Sequence, residues 1–230
     1  MNKELTNNFI IKYFEEPFRF AVLKKCLNTK AINIKMKVLD IGCGNHSPSI
    51  TRKYFPNLEY WGVDKELYNN DQIDLSNMHK FIKTDLESSN LDELPDNYFD
   101  VIIMSHVIEH VHNSKLLIME IVKKVKYRGF LFIETPTEKS VDFPKKDGTL
   151  NFYDDPTHIK PVKLVEIKDL LAISKFRTLK YGVRRYKRRL LIFPALILYS
   201  LHRYKKIIGP ILWDIYGFSW YLVAIKEKST

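Results

Sequence analysis

A glycine turn and two acidic residues form the part of the sequence best suited to bind a nucleoside. Asp40, Gly42 and Gly44 follow an apolar run, and glycines at such a turn let the backbone approach a ligand closely. Asp64 stands 20 residues beyond Gly44 at a predicted strand end, where a carboxylate can accept both hydroxyls of a ribose. Asp85 closes the next strand and is placed to accept a hydrogen bond from an adenine amino group.

The same turn argues against a pyrophosphate ligand. Ser47 stands where the dinucleotide fingerprint has its third glycine. Asp40 places negative charge directly before the glycines, which repels a diphosphate and attracts an ammonium or a sulfonium. The turn therefore predicts a nucleoside that carries a positively charged group.

Histidines and a glutamate after the fourth predicted strand could move protons or contact an acceptor. His106, Glu109 and His110 open a stretch predicted to be helical, on which His106 and His110 would share a face one turn apart. A metal pair is conceivable there, but a third ligand and the HExxH order are missing, so no metal site is predicted. The alternative for Glu109 is that it satisfies free amides at the helix start, with His110 packed beside it.

A second candidate, His158, lies between Pro156 and Pro161, which restrict the backbone around it. It follows a long polar loop, residues 135–161, and loops of this length often serve as lids or substrate-binding segments. His158 is therefore predicted to be a general base or an acceptor-orienting residue. A hydrogen bond that stabilises the turn and simple surface exposure are the alternatives.

Apolar strands that alternate with helical stretches must position these residues. Two short helices separated by Pro17 are predicted first, and Ser47 is predicted to be the N-cap of a later helix. Such alternation predicts a doubly wound, mostly parallel sheet that binds ligands at the carboxyl ends of its strands. Strands are predicted over 37–41, 58–63, 80–84, 98–104, 129–134, 176–183 and 218–226, and helices over 47–55, 113–126 and 162–174.

Five motifs in order resemble the class I S-adenosylmethionine-dependent methyltransferases, in particular the small type 11 group that acts on small molecules and cell-envelope precursors. The resemblance covers residues 35–183 and the final strand, and it implies an α/β, Rossmann-like sheet of seven strands with an antiparallel last strand. The implied cofactor is S-adenosyl-L-methionine. The motifs are VLDIGCG at 38–44, VD at 63–64, TDLE at 84–87, LPDNYFDVIIMSHVIEHV at 94–111 and GFLFIETP at 129–136.

The resemblance also implies site residues. The methionine part would lie against the glycine turn, the ribose against Asp64 and the adenine against Asp85, while Glu109, His110 and His158 would face the acceptor as the catalytic residues. Cys43 is a small filler rather than a nucleophile, because methyl transfer needs no thiol. The predicted cofactor-binding residues are Asp40, Gly42, Cys43, Gly44, Asp64, Lys65, Asp85, Leu86, Ser105 and His106.

The composition separates a near-neutral core from a basic C-terminal part. The chain of 230 residues is 45% apolar and carries a net charge of +10, which excludes intrinsic disorder for the chain as a whole. Residues 1–157 have a balance of −2, whereas residues 158–230 have a balance of +12. The C-terminal third is therefore predicted to meet an anionic partner, unless the charge only forms a solvated face.

That basic charge surrounds an apolar segment, residues 184–216, between the last two strands. Its uninterrupted apolar run, residues 190–201, is too short to span a bilayer, which needs about 20 residues. Basic clusters on both sides predict that the segment lies in the membrane interface. A dimer- or domain-packing helix and a nucleic-acid-binding surface are the rival interpretations, of which nucleic acid fits the apolar run less well.

The sequence thus predicts one methyltransferase domain over 1–230, with a helical cap (1–34), a cofactor-binding core (35–183), a basic helical insertion (184–217) and a final strand (218–230). The N-terminus has no clean apolar stretch, so no cleaved signal peptide is expected. The expected protein is a cytoplasmic enzyme at the inner face of the cell membrane that O-methylates a lipid, lipid-linked or glycan precursor. An RNA methyltransferase and a non-catalytic cofactor-binding scaffold are the alternatives.

Overall fold

A single mixed sheet forms the centre of the protein. The computed structural model describes residues 16–27, 35–88 and 91–228. The strands are β1 (Met36–Ile41), β2 (Leu58–Asp64), β3 (Lys80–Lys83), β4 (Phe99–Ser105), β5 (Val125–Pro136), β6 (Phe176–Val183) and β7 (Ser219–Lys226). They lie side by side in the order β3-β2-β1-β4-β5-β7-β6.

Helices connect the strands and also fill the segment between β6 and β7. The α-helices are α1 (Phe18–Cys26), α2 (Ser47–Tyr54), α3 (Gln72–Ser76), α4 (Ser114–Lys124), α5 (Leu164–Ile173), α6 (Lys187–Leu191), α7 (Phe193–Tyr204) and α8 (Gly209–Tyr216). Short 3₁₀ turns occur at Leu86–Ser88, Ile108–His110, Glu138–Asp142 and Phe152–Asp154.

The strand order reverses at β1, which places three strand ends together. Strands β1 to β5 pair in parallel, and β7 runs antiparallel to both of its neighbours, β5 and β6. Ile41 at the end of β1 lies beside Val63 on one side and Met104 on the other. Ligands bind at such a switch point in doubly wound sheets. The predicted fold, including the antiparallel last strand and the helical insertion, is confirmed.

Helices cover both faces of the sheet, so the central strands are apolar on both sides. Leu39 of β1 packs into a cluster with Leu117 of α4, whereas the neighbouring Val38 packs into a second cluster with Phe20 of α1 and Tyr54 of α2. Successive side chains of a strand point to opposite faces, which is why the run VLDI serves two cores.

Two local predictions around the strand ends are wrong. His106 and His110 do not share a helix face: His106 has a left-handed φ of 56°, Ile108–His110 is a 3₁₀ turn, and α4 begins only at Ser114. The His106 amide donates to the Glu134 carbonyl (2.7 Å), which turns the chain away from a helical path. Ser47 is not an N-cap but the first residue of α2, after His46.

Other predicted elements differ mainly in their bounds. β5 starts at Val125 and ends at Pro136, so it is longer than the predicted 129–134. The second predicted N-terminal helix is α1, and the first lies outside the described residues. The long loop over 135–161 is irregular as expected, but it is anchored by Leu150 and Phe152, which are fully buried.

The segment between β6 and β7 folds as helices α6, α7 and α8 and is called the insertion below. Among the residues that the structure describes, no helix has the length and apolar character needed to cross a membrane. Two neighbouring apolar side chains of α7 are exposed, Leu198 at 68% and Tyr199 at 56%.

Candidate active site

A cleft of about 950 Å³ opens at the carboxyl ends of β1, β2 and β4. It lies at the switch point of the sheet, and the insertion contributes to its far wall through Trp213. The predicted site residues that line it are Asp40, Gly42, Gly44, Asp64, Lys65, Asp85, Leu86, Ser105, His106, His110 and His158.

The glycine turn after β1 has no room for a side chain. Gly42 has a φ of 73°, and a Cβ atom there would lie 2.5 Å from Val107 Cγ2. A Cβ atom on Gly44 would lie 2.9 Å from the Tyr68 carbonyl oxygen. The close approach of Val107 and Tyr68 therefore requires glycine at these two positions, both of which line the cleft.

Asp40 is buried beneath this turn and is held by two hydroxyl groups. Its Oδ2 accepts hydrogen bonds from Ser47 Oγ (2.5 Å) and Tyr60 OH (2.6 Å). Burial raises the pKa of Asp40, although the charge of Arg19 and these hydrogen bonds oppose the shift. The carboxylate thus fixes the start of α2 against β1 and places negative charge at the cleft.

Asp64, Lys65 and Asp85 lie at the ends of β2 and β3. Asp64 Oδ1 accepts the Lys65 amide (2.8 Å), and partial burial raises its pKa. Lys65 Nζ lies 3.2 Å from Asp85 Oδ2, and Asp85 Oδ1 accepts the Glu87 amide (3.0 Å). The Glu87 amide and Lys65 lower the pKa of Asp85, so its carboxylate is charged and already engaged on both oxygens.

Ser105 and His106 follow β4 at the middle of the cleft. Ser105 Oγ is buried and has no hydrogen-bond partner among the described residues, which leaves it available to a ligand. His106 lies between Glu109 (Nδ1 to Oε1, 3.2 Å) and Glu134 (Nε2 to Oε1, 3.7 Å). Burial lowers the pKa of His106, but these two carboxylates outweigh burial and raise it to about 9.

Glu109, His110 and His158 meet at the end of the cleft beyond His106. Their ligand atoms all lie within 4.8 Å of one another. Glu109 is fully buried, and its Oε2 accepts a hydrogen bond from Thr135 Oγ1 (2.8 Å). His158 Nε2 lies 4.0 Å from Glu109 Oε1. The structure therefore brings together the three residues that were predicted to face the acceptor.

Cys43 is placed differently from the other predicted residues. Its side chain is fully buried in the core beneath β2, where a Cβ atom on Gly62 would lie 2.6 Å from its Sγ. The thiol does not line the cleft, and burial, followed by the charges of Asp40 and Asp64, raises its pKa well above the ordinary value.

Several cleft residues were missed by sequence reasoning. Arg19 reaches the cleft from α1, donates to Ser47 Oγ (2.8 Å) and has a buried Nε without a partner among the described residues. Trp213 and Phe218 line the far end and stack at 4.8 Å. The residue type of Arg19 was a signal, because a guanidinium suits an anionic group, but its position depends on how α1 packs.

The cleft fits S-adenosylmethionine. It offers a side-chain-free turn, carboxylates at the ends of two neighbouring strands, and two buried polar atoms without partners, Ser105 Oγ and Arg19 Nε. Carboxylates suit ribose hydroxyls and a sulfonium, and a guanidinium suits a carboxylate. These groups thus match a nucleoside that carries a sulfonium and ends in an amino acid with a free carboxylate.

Comparison with known sequences gives the same family. A family profile described as a methyltransferase domain matches residues 14–180. A ubiquinone biosynthesis O-methyltransferase of Rickettsia bellii is 30% identical over 103 residues, which is 44% of this chain and 42% of that protein. One from Pelagibacter ubique is 26% identical over 162 residues, 64% of this chain and 66% of the relative. The chain thus spans only about two fifths of the length of the Rickettsia relatives that it matches.

Solved structures show the same fold. A SAM-dependent methyltransferase from Archaeoglobus fulgidus has a TM-score of 0.55 at 24% identity, with 95% of this chain and 99% of that chain covered. A phosphoethanolamine N-methyltransferase 2 from Haemonchus contortus, solved with S-adenosyl-L-methionine, has a TM-score of 0.62 at 15% identity. The match covers 97% of this chain and 57% of that chain. Since the profile matches well over half of the chain, the protein belongs to the methyltransferase-domain family, and its fold is that of the S-adenosylmethionine-dependent methyltransferases.

Proposed function

We propose that this methyltransferase acts on an oxygen atom of a lipid, lipid-linked or glycan precursor at the surface of a membrane. One observation carries the proposal: the insertion lines the cleft through Trp213 and also exposes the apolar side chains of Leu198 and Tyr199 on α7. The names of the relatives, ubiquinone biosynthesis O-methyltransferases, support oxygen as the acceptor atom.

We assign the cofactor to the half of the cleft nearest β1 and β2. Asp64 would bind the ribose hydroxyls, Asp85 and Leu86 the adenine, and the turn at Gly42 and Gly44 the methionine part. When bound, S-adenosylmethionine supplies a methyl group on a sulfonium: an acceptor lone pair forms the new bond, the old bonding pair stays on sulfur, and a hydroxyl acceptor must lose its proton. The chain has mainly to align the acceptor and assist loss of this proton.

We assign the acceptor to the far half, beside Glu109, His110 and His158. His158 is assigned as the acceptor-orienting residue, because it lines the cleft and its Nδ1 is fixed on the Phe152 carbonyl (2.6 Å). His158→Ala is expected to lower turnover far more than it weakens cofactor binding, since no predicted cofactor contact includes it. Methyl incorporation into a cell-envelope lipid extract and calorimetric titration with S-adenosylmethionine measure the two effects. Equal losses in both would remove His158 from the acceptor side.

The membrane part of the proposal commits to an anionic lipid surface. Leu198 and Tyr199 are exposed on α7, and the exposed basic residues Lys187, Arg203 and Lys205 flank this face. An apolar face bordered by basic residues binds interfaces through buried apolar area together with attraction to anionic headgroups. The exposed apolar side chains of α7 favour a lipid surface over RNA, because binding to RNA phosphates would use only the basic residues.

Vesicle flotation tests this surface. The protein should float with phosphatidylglycerol-containing vesicles at low salt, less with pure phosphatidylcholine, and Leu198→Glu should weaken the association. Val165→Glu is the matched control, because Val165 is 60% exposed on α5, outside the insertion. Equal flotation of the two variants, or steep salt-dependent binding of bulk RNA without flotation, would overturn the membrane proposal.

A further inference from the structure

We propose that Glu109, His110 and His158 bind a divalent transition-metal ion at the acceptor end of the cleft, and that the ion holds the acceptor hydroxyl. The inference rests on the proposed function only in placing an acceptor there. It goes against the sequence prediction of no metal site, which considered His106 and His110 alone.

The first argument concerns His158. Its Nδ1 lies 2.6 Å from the Phe152 carbonyl oxygen, which can only accept a hydrogen bond. Nδ1 therefore carries the proton, and in the neutral ring Nε2 has a free lone pair. That Nε2 points towards Glu109 Oε1 (4.0 Å) and Asp155 Oδ2 (3.9 Å). An imidazole fixed on one nitrogen by a carbonyl, with the other nitrogen free, is the arrangement that metal-binding histidines show.

His110 is fixed in the same way by Thr157. The hydroxyl of Thr157 donates its one proton to Asp155 Oδ1 (2.6 Å), so towards His110 it can only accept. His110 Nδ1, 2.8 Å from this oxygen, is then the donor, and its Nε2 is left with a free lone pair. Thr157 thus orients His110 as the Phe152 carbonyl orients His158.

Glu109 completes the group with a carboxylate. It is fully buried, and Thr135 fixes its Oε2, which leaves Oε1 facing the histidines. Buried carboxylates are costly unless a charge or a proton donor meets them, and His106 supplies a donor on one side only. His158 Nε2 therefore directs its lone pair towards Oε1, and His110 belongs to the same group of ligand atoms.

A cation among these groups would meet the free lone pairs of the two imidazoles and the carboxylate of Glu109, whose Oε1 already accepts a hydrogen bond from His106 Nδ1 (3.2 Å). The separation of 4.0 Å between His158 Nε2 and Glu109 Oε1 is too long for a hydrogen bond. Two ligands of one ion at about 2.0–2.2 Å lie from about 3.4 Å apart in tetrahedral geometry to about 4.2 Å apart on opposite sides, so small movements would bring both atoms to one ion. Two imidazoles with one carboxylate favour zinc or a neighbouring transition metal over magnesium or calcium.

An ion at this position has a coordination site open to the cleft. Both histidines line the cleft, and with three protein ligands a fourth position remains for a bound oxygen. An acceptor hydroxyl in that position has a lowered pKa: its O–H bond breaks, the proton passes to water, and the oxygen keeps the electron pair. The acceptor oxygen is then held and deprotonated in one place.

Titration with the metal alone tests the inference. Chelator-treated full-length protein is titrated with Zn²⁺ by calorimetry and with Co²⁺ by visible absorption, with Mg²⁺ as the hard-cation comparison. We expect one transition-metal site with weaker Mg²⁺ binding. His158→Ala and His110→Ala should each lower the affinity by at least roughly tenfold, and Thr157→Val, which removes only the partner of His110, by about 10–100-fold.

His112→Ala is the matched control, because His112 is exposed beside the same turn and pairs with Glu87 instead (2.8 Å). It should bind the metal like the wild type. No stoichiometric binding by the wild type, or the same affinity in all four variants, would overturn the metal site. The proposed function has a separate readout: methyl incorporation by chelator-treated enzyme would refute the role of the metal and leave the methyltransferase assignment intact.

Discussion

Arg184, directly after β6, donates from Nη1 to Oε1 of Glu134 on β5 at 2.8 Å, and both side chains are buried. Its Nε lies 3.2 Å from Oδ1 of Asp214 on α8. One guanidinium therefore ties the sheet to the insertion, beside the part of the cleft that Trp213 lines. Because Trp213 precedes Asp214, the same ion pair holds a wall of the cleft in place.

Loss of this guanidinium should destabilise the protein strongly. Arg184→Met removes the nearer cation from two buried carboxylates and leaves Glu134 with His106 (3.7 Å) and Asp214 with Arg189 (3.8 Å). Breaking a buried ion pair typically costs about 3–5 kcal/mol of unfolding free energy. Urea unfolding measures it. Arg177→Met is the matched control: Arg177 is in an exposed pair with Glu227, for which about 0–1 kcal/mol is expected. Similar losses in the two variants would mean that the buried pair does not anchor the insertion.

Stability should fall in mildly alkaline solution because of His106. The carboxylates of Glu109 and Glu134 raise its pKa from 6.5 to about 9 in the folded protein. The folded state therefore binds this proton more tightly, so its contribution is fully present below pH 6.5 and is lost as the pH rises through 9. The loss amounts to at most about 3 kcal/mol.

Urea unfolding at a series of pH values between 6 and 10 checks this effect. His106→Gln keeps a polar side chain but cannot titrate, so its unfolding free energy should depend less on pH over this range. An unchanged pH dependence in the variant would assign the alkaline loss of stability to other groups.

The strands and the glycine turn could be predicted from the sequence because apolar runs and small residues a few positions apart define them. The run VLDI is apolar apart from Asp40, and the residues after it, GCG, are small, so both the burial of β1 and its end at the cleft follow from short-range pattern. Local sequence did not predict the role of Ser47. Its hydroxyl donates a hydrogen bond to Asp40 on β1 rather than capping its own helix, and that contact depends on how α2 packs against the sheet.

The group of Glu109, His110 and His158 could be predicted only as separate residues. Helical spacing paired His106 with His110, but the backbone turns at His106 and its ring lies between two carboxylates. The partner of His110 is His158, whose ring lies 4.7 Å away although 48 residues separate the two in the chain. No local pattern encodes that approach, because the packed loop that carries Phe152 creates it.

Arg19 should contribute to cofactor affinity. Its guanidinium lines the cleft beside Asp40, with Nη2 on Ser47 and Nε without a partner among the described residues. A charged hydrogen bond to an anionic end of the cofactor contributes about 1.5–3 kcal/mol, so Arg19→Met should raise the Kd for S-adenosylmethionine roughly 10–100-fold. Calorimetric titration measures the change. Lys24→Met on the same helix is the control, since Lys24 pairs with Glu16; an equal effect of both substitutions would place Arg19 outside the site.

Trp213 should affect the acceptor rather than the cofactor. Its Nε1 donates to the Thr149 carbonyl at 2.5 Å, which joins the insertion to the loop that carries His158, and its ring stacks on Phe218. Trp213→Phe keeps an aromatic ring but removes this hydrogen bond, which contributes about 0.5–1.5 kcal/mol.

The amount of lipid extract needed for half-maximal methyl incorporation should therefore rise about 2–10-fold, while the Kd for S-adenosylmethionine stays unchanged. Trp61→Phe is the matched control, because the Trp61 indole also donates a hydrogen bond, to Glu59 at 3.0 Å, but lies outside the cleft. If Trp213→Phe weakened cofactor binding instead, the insertion would belong to the cofactor half of the cleft, and the acceptor would have to enter from another side.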